Sequence, residues 1–258
     1  MPPEVPRPAV TTDTIDIASR FRGPPGSANG GYACGRLAAY IDGPAEVSLW
    51  KPPPLEHPLQ VRRENGAVNL YDGELLIGTA VTGKVRIAQM AAPTRTQARA
   101  AAERTFAAGQ HPLPSCFVCG PHRRHGDGLR IHPGPLHADD LDWQGVLAAP
   151  WTPEADLADA SGTVLPEFVW AALDCPTAYA VSSSEGMLSI LLGRQTLQID
   201  RLPAAGESCI VTARRFAREG RKFSADACLF GADGQALAHC NALWIEVDPA
   251  VQRGDPEP

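Results

Sequence analysis

The 258-residue sequence predicts an α+β fold that uses one plan twice, a helix followed by an antiparallel meander. Three observations carry that prediction. Two segments of helical character, one opening at Gly30 and one around Trp170, are each followed by a train of short strand-like runs. Turn pairs punctuate those runs: Asn65-Gly66 and Asp72-Gly73 in the first half, Asp233-Gly234 in the second. Between the copies lies an Ala- and Arg-rich stretch, then a Pro- and Gly-rich one, together spanning about 93–135.

Each element follows in order. Residues 1 to about 14 are Pro-rich and polar and read as a frayed tail, as do 248–258. A helix is expected from about Gly30 to Ile41, and strands at Val47–Trp50, Leu59–Arg63, Ala67–Tyr71 and Leu75–Val81. The stretch from Pro93 to Ala108 lacks internal Gly and Pro and predicts a connector helix. These make a first unit, residues 1–110. The second unit, 111–258, opens with a strand near Gly145–Ala149 and one helix over Glu167–Pro176. Strands then follow at Met187–Leu192, Thr196–Asp200, Ser208–Arg214, Lys222–Phe230 and Ala236–Val247.

Composition excludes several classes. The chain is 44% hydrophobic and 20% charged, which fits a folded globule and not a disordered chain. No run approaches the ~20 apolar residues of a membrane-spanning helix. The first residues, Met-Pro-Pro-Glu-Val-Pro-Arg-Pro, lack a basic segment and an apolar segment, so no secretory signal is expected. A net charge of −6 argues against a nucleic-acid groove, and a cytoplasmic location is expected. There are seven cysteines, an odd number, and reduced thiols are expected. Cys34, Cys175, Cys209, Cys228 and Cys240 sit in apolar stretches and read as small buried hydrophobes. Trp50, Trp143, Trp151 and Trp244 read as core or strand-face residues. No phosphate loop, nucleophile elbow or dinucleotide fingerprint is present.

Three local patterns stand in order within the repeat. They are Ser27-Ala28-Asn29-Gly30-Gly31 at a helix start, Ser115-Cys116-Phe-Val-Cys119-Gly120 with Gly128-Leu129-Arg130-Ile131, and Trp170-Ala-Ala-Leu-Asp174. Over about residues 15–247 the sequence resembles the hot-dog acyl-CoA thioesterase superfamily in its fused, tandem form. The resemblance implies two antiparallel sheets, each wrapped around a central helix, with the active site between the two units. It also implies a pseudo-dimer within one chain, which is able to pair further as a homodimer.

In the resembled enzymes a carboxylate stands eight residues after the first Gly of the pair, and a His precedes it. Here Ala38 occupies the carboxylate place, Asn29 the His place, and the second helix carries Asp174 without a Gly-Gly opening. Each half holds part of the constellation. The resemblance therefore implies a composite site, with donors from Asn29, Gly30 and Gly31 and a carboxylate from Asp174. A helix start offers unpaired N–H groups and partial positive charge, and glycine lets a carbonyl approach them. An oxyanion would be stabilised there. Asp174 would act as general base on water or as nucleophile, with a pKa raised by burial and Thr177 orienting it.

The residues alone also allow blander roles. Gly30 and Gly31 would pack helix on sheet, and Asp174 would cap a short helix begun by Cys175-Pro176. The leading function is hydrolysis of an acyl-CoA or acyl-carrier thioester, with no cofactor. A second reading is a non-catalytic acyl-binding protein, marked by the missing His. A third is enoyl-thioester hydration at Pro135-Leu-His137-Ala-Asp139, although the Asn-Pro pair of such proteins is absent.

Cys116-x-x-Cys119-x-x-His122-x-x-His125 offers zinc-type ligands in one continuous run. A metal-free loop is the alternative, and no metal is assigned. Arg123, Arg124 and Arg130 in and beside this run suit the phosphates of coenzyme A.

Overall fold

The computed structural model describes residues 13–87 and 89–253, so most of the predicted N-terminal tail and the last part of the C-terminal one lie outside the described residues. The part of each tail inside that range is ordered: β1 spans Asp13–Ile15 and α5 spans Pro249–Arg253. The first half continues with α1 (Gly30–Ala38), β2 (Ala45–Leu49), β3 (Leu59–Glu64), β4 (Ala67–Asp72) and β5 (Leu75–Thr82). After α2 (Arg95–Ala102) and β6 (Gly134–Pro135) come β7 (Leu147–Trp151), α3 (Pro166–Ala172) and α4 (Cys175–Ala180). The chain then runs through β8 (Ile190–Ile199), β9 (Cys209–Glu219), β10 (Lys222–Phe230) and β11 (Ala236–Glu246).

Local chemistry explains the boundaries. Asn65 and Gly66 both take positive φ, 52° and 78°, so β3 turns into β4 through the two-residue hairpin the sequence predicts. Thr94 and Gln97 form a reciprocal capping box that starts α2. The predicted helix over Glu167–Pro176 is two helices. Pro176 inside one helix would remove a donor and clash with the carbonyl of Ala172, so the chain breaks at Leu173-Asp174. Pro176 instead sits in the first turn of α4, where its missing N–H costs nothing. Conversely, the two strands expected around Gly193 are one. β8 is paired on both sides, and the irregularity is taken up by a register shift at Leu243/Trp244 of β11.

The duplicated plan is visible in the topology. Among the described residues the eleven strands join one antiparallel sheet in the order β1-β3-β4-β5-β2-β8-β11-β10-β9-β7-β6. In each half the first strand after the helix lies beside the last strand, and the strand before the helix lies beside the second. The expected two sheets are therefore a single eleven-stranded sheet. Its seam is β2 against β8, with Glu46 opposite Thr196 and Val47 opposite Gln195. Separate sheets would leave both of these strands with an unpaired edge.

α1 packs against α3 and against β2, β5 and β8, while α4 lies on β9 and β10. One contiguous core runs through both halves, from Ile15, Leu37 and Leu70 to Trp143, Phe223 and Leu229. A smaller cluster lies under α2, where Ala98 and Ala101 meet Ala148, Ile210 and Phe230. Glycine permits the closest helix contact. A Cβ on Gly35 would stand 2.6 Å from the Glu167 Cα and 2.9 Å from the Trp170 Cβ.

The turn leading into β9 is pinned by an ion pair. Arg201 donates to both oxygens of Glu207, at 2.9 and 3.1 Å, and the backbone N–H of Ala204 donates to the same carboxylate at 3.0 Å. The Arg201 guanidinium holds the Glu207 carboxyl below its ordinary value of 4.5. Its stabilisation is therefore complete above that value and is lost as pH falls through the lower folded value. Glu207→Gln is expected to cost less than about 1 kcal/mol at neutral pH. Thermal midpoints of the two proteins, taken at neutral pH and then in acid, should converge. A gap independent of pH would show that the pair contributes no electrostatic stability.

Candidate active site

The site is assembled from both halves. Asn29 is the N-cap of α1, and its Oδ1 accepts the Tyr32 N–H at 2.9 Å. That bond fixes the amide so that Nδ2 points away from the helix, where it donates to Asp174 Oδ2 at 2.7 Å. The Gly31 N–H donates to the same oxygen at 3.0 Å. A carboxylate from the second half thus sits on the N-terminus of the first half's helix, where backbone donors and the helix dipole favour negative charge.

Asp174 is only 1% exposed. Burial pushes its pKa up to about 7, and negative charge at Cys116 adds to the rise, while the bonds from Gly31 and Asn29 pull it down. Its second oxygen, Oδ1, is buried and has no partner among the described residues. Although Asp174 precedes α4, its side chain makes no capping bond there. The carboxylate is turned wholly toward α1.

Gly31 combines both roles the sequence left open. Its N–H binds Asp174, and a Cβ there would lie 2.4 Å from the Asp174 Cβ and 2.8 Å from the Trp170 carbonyl. The expected set of three oxyanion donors needs correction, because the Asn29 amide and the Gly31 N–H bind Asp174 Oδ2. Gly30 is left at the helix start, half-buried, with its N–H meeting no acceptor among the described residues. Thr177 is also corrected. Its hydroxyl donates to the Asp174 backbone carbonyl at 2.6 Å and accepts from Trp244 Nε1 at 2.8 Å, so it never touches the carboxylate. It anchors the first turn of α4.

A cavity of about 190 Å³ opens on this group, bordered by Asn29, Gly30, Asp174, Met187, Leu192 and Trp244. Exposed Lys51 and Trp50 also border it. Trp50 is 60% exposed and not a core residue, whereas Trp143, Trp151 and Trp244 are buried as expected. The signal for this pair was thin, because Pro52-Pro53-Pro54 marked Trp50-Lys51 only as the end of a strand.

The predicted phosphate-binding arginines lie elsewhere. Arg123 is a structural clamp, donating to Ser115 O at 2.9 Å, to Arg20 O at 2.8 Å and to Asp127 at 3.0 Å. Arg124 is exposed, and Arg130 lines a separate cleft of about 620 Å³ with Arg95, Arg99 and Trp151. None of the three borders the Asp174 cavity. His137 and Asp139, the residues of the hydration reading, are exposed and equally remote from it.

The cysteine run is divided in space. Cys116 and Cys119 are buried, while His122 and His125 are exposed. Cys175 joins the two thiols instead, its Sγ 3.6 Å from that of Cys116, and His111 Nε2 lies 3.2 Å from Cys119 Sγ. All seven cysteines are free and buried. Among the described residues no helix is long and apolar enough to cross a membrane.

No protein-family model and no curated protein matches this sequence. Solved structures do match. A conserved protein of unknown function with a hot-dog fold, from Alicyclobacillus acidocaldarius, superposes with a TM-score of 0.57 over 95% of this chain and 96% of its own. The chain has the hot-dog fold. A candidate thioesterase II from Thermobifida fusca YX gives a TM-score of 0.60 at 16% identity, covering 95% of this chain and 96% of that one. A candidate thioesterase from Novosphingobium aromaticivorans DSM 12444 gives 0.60 at 13% identity, covering 94% and 100%. Identity to the Alicyclobacillus protein is 12%. At these identities what is common to the hot-dog proteins is the arrangement of elements, and it extends over both halves of this chain.

Proposed function

We propose that this hot-dog protein hydrolyses an acyl thioester, presented on coenzyme A or on an acyl-carrier protein, at a composite site between its two halves. The halves, about 1–110 and 111–258, act as two hot-dog units fused in tandem, so that one chain supplies both sides of the site. The observation that carries this reading is the Asp174 carboxylate. One of its oxygens is fixed by Asn29 and Gly31 across the two halves, and the other, without a partner among the described residues, stands at a cavity lined largely by apolar side chains. An isolated buried carboxylate is costly and is retained where chemistry uses it.

In the general-base route Oδ1 takes a proton from water as the oxygen attacks the thioester carbonyl. The oxyanion is met by the Gly30 N–H at the start of α1. The carbon–sulfur bond then breaks, and the departing thiolate takes the proton back from Asp174. In the nucleophilic route Oδ1 attacks the carbonyl itself, the thiolate leaves, and water hydrolyses the acyl-enzyme. Lys51 and Trp50 at the border of the cavity suit the charged and planar parts of a nucleotide carrier.

One observation favours the second reading, an acyl-binding protein without turnover. Two of the three predicted oxyanion donors are occupied by Asp174 itself. Free-thiol release against a panel of short, long and aromatic acyl-CoAs tests the two together, with ligand-induced melting shifts recorded on the same samples. Turnover on any member supports hydrolysis, a melting shift alone supports binding only, and silence in both overturns the thioester reading.

A further inference from the structure

We infer that Cys116, Cys119 and Cys175 form a trithiolate site for a soft divalent ion of the zinc class, with the fourth coordination position facing the Asp174 cavity. The three sulfurs all lie within 4.8 Å of one another, and all three residues are buried. Zinc–sulfur bonds of ~2.3 Å in a tetrahedron set neighbouring sulfurs about 3.8 Å apart, and Cys116 and Cys175 already stand 3.6 Å apart. Closing on an ion therefore needs only small side-chain movement.

The sequence run by itself lacked a ligand from a second segment, which structural zinc sites ordinarily use. Cys175 supplies it. It enters from the first turn of α4, in the other half of the chain from the cavity wall at Asn29 and Gly30.

The surrounding donors are arranged for charged sulfur. His111 Nδ1 accepts the Leu113 N–H at 3.0 Å, so the ring proton resides on Nε2, which donates to Cys119 Sγ at 3.2 Å. The Asn29 amide approaches Cys175 Sγ at 3.7 Å and Cys116 Sγ at 4.0 Å. Donors aimed at sulfur are the outer shell that orients and tunes metal thiolates. An ordinary core thiol in this chain behaves differently. Cys228 uses its S–H to donate to the Leu229 carbonyl.

All three cysteines border the cavity that Asp174 closes, so the remaining position is open to water or to a ligand from that side. Binding a divalent cation displaces whatever protons the three sulfurs still hold, and they leave to solvent. The resulting centre carries one negative charge. It ties the 116–119 loop to α4 beside the carboxylate, and it stands whether or not the protein hydrolyses a thioester.

The test is metal binding by the full chain. Protein stripped with chelator under reductant is titrated anaerobically with cobalt(II). A thiolate-to-cobalt charge-transfer band and tetrahedral visible absorption should saturate at one equivalent and vanish on adding zinc. Elemental analysis of the protein as purified should find one zinc per chain. Cys175→Ser should abolish the band, and His111→Phe should weaken zinc binding about 10–100-fold. The His122→Ala, His125→Ala double variant should leave it unchanged.

Absence of the band in the reduced wild-type chain overturns the proposal without reference to any variant's folding. So does a mass two hydrogens low that marks a disulfide within the trio. Binding that survives Cys175→Ser but not the double histidine variant overturns it in favour of the continuous loop.

Discussion

Asp174→Asn is expected to lower thioester turnover by about 10²- to 10⁴-fold, the usual contribution of a positioned general base, while leaving the thermal midpoint at or above that of the parent chain. The two halves of this expectation come from one geometry. The amide oxygen can take the place of Oδ2 and keep both accepted bonds, from Asn29 Nδ2 and the Gly31 N–H. The contact between α1 and the start of α4 therefore survives. The amide nitrogen takes the place of Oδ1, which has no partner to lose among the described residues. An unpaired buried amide costs about 1–3 kcal/mol, but the substitution also removes a buried charge, which costs more to keep dry. What the variant loses is the ability to accept a proton or attack a carbonyl. Acyl-CoA melting shifts should persist, since the apolar lining from Met187 to Trp244 is untouched. Turnover within a few-fold of the parent enzyme would remove Asp174 from the chemistry. A collapse of the midpoint would instead make the residue a structural cap.

Much of this arrangement is local and could be read from sequence, and the remainder depends on pairings distant in the chain. Asn65-Gly66 predicts its hairpin because positive φ is a property of those two residues. The helix expected to open at Gly30 does open there, and the structure adds that the Asn29 side chain caps its first turn. The repeat of helix and meander places Asp174 and Gly31 in different halves, and only the duplicated plan suggests that they meet. The single sheet was not legible, because the β2–β8 seam joins residues about 150 apart through backbone atoms that carry no side-chain signature. Pro176 does signal the helix break: the sequence offers it both as the end of one helix over Glu167–Pro176 and as the opening of a short second helix, and the structure takes the second course. Cys175 and His111 escaped for a deeper reason. A cysteine in an apolar run and a histidine among prolines look like packing until the third dimension places them beside Cys116 and Cys119. Arg123 misled in the opposite direction, since a basic loop residue looks solvated while its guanidinium is closed off by two carbonyls and Asp127.

Gly31→Ala is expected to cost about 3 kcal/mol, near the top of the ordinary range for overpacking. For a chain of this size that is a fall of roughly 10 °C in thermal midpoint. The added methyl would stand 2.4 Å from the Asp174 Cβ and 2.8 Å from the Trp170 carbonyl oxygen. Neither neighbour can yield. The Trp170 carbonyl is held by Gln195 Nε2 at 3.0 Å, and Asp174 is held by its own two bonds to α1 and by Thr177 on its carbonyl. Relief requires α1 and α3 to separate, which lengthens the bond from the Gly31 N–H and frees the carboxylate from its place. Gly30→Ala is the milder comparison, because the three atoms nearest its methyl all belong to the Leu192 side chain, a terminal methyl at 2.9 Å and the Cβ at 3.0 Å foremost. The Leu192 Cδ2 can swing into the adjoining cavity and its Cβ has only a few tenths of an ångström to give, so the cost should be smaller than at Gly31, where a Cβ and a backbone carbonyl both block the methyl. Comparable midpoints for the two variants would mean that the helices tolerate a wider spacing. The grip of Gly31 on Asp174 would then be incidental, and the carboxylate would need another means of being held where the cavity ends.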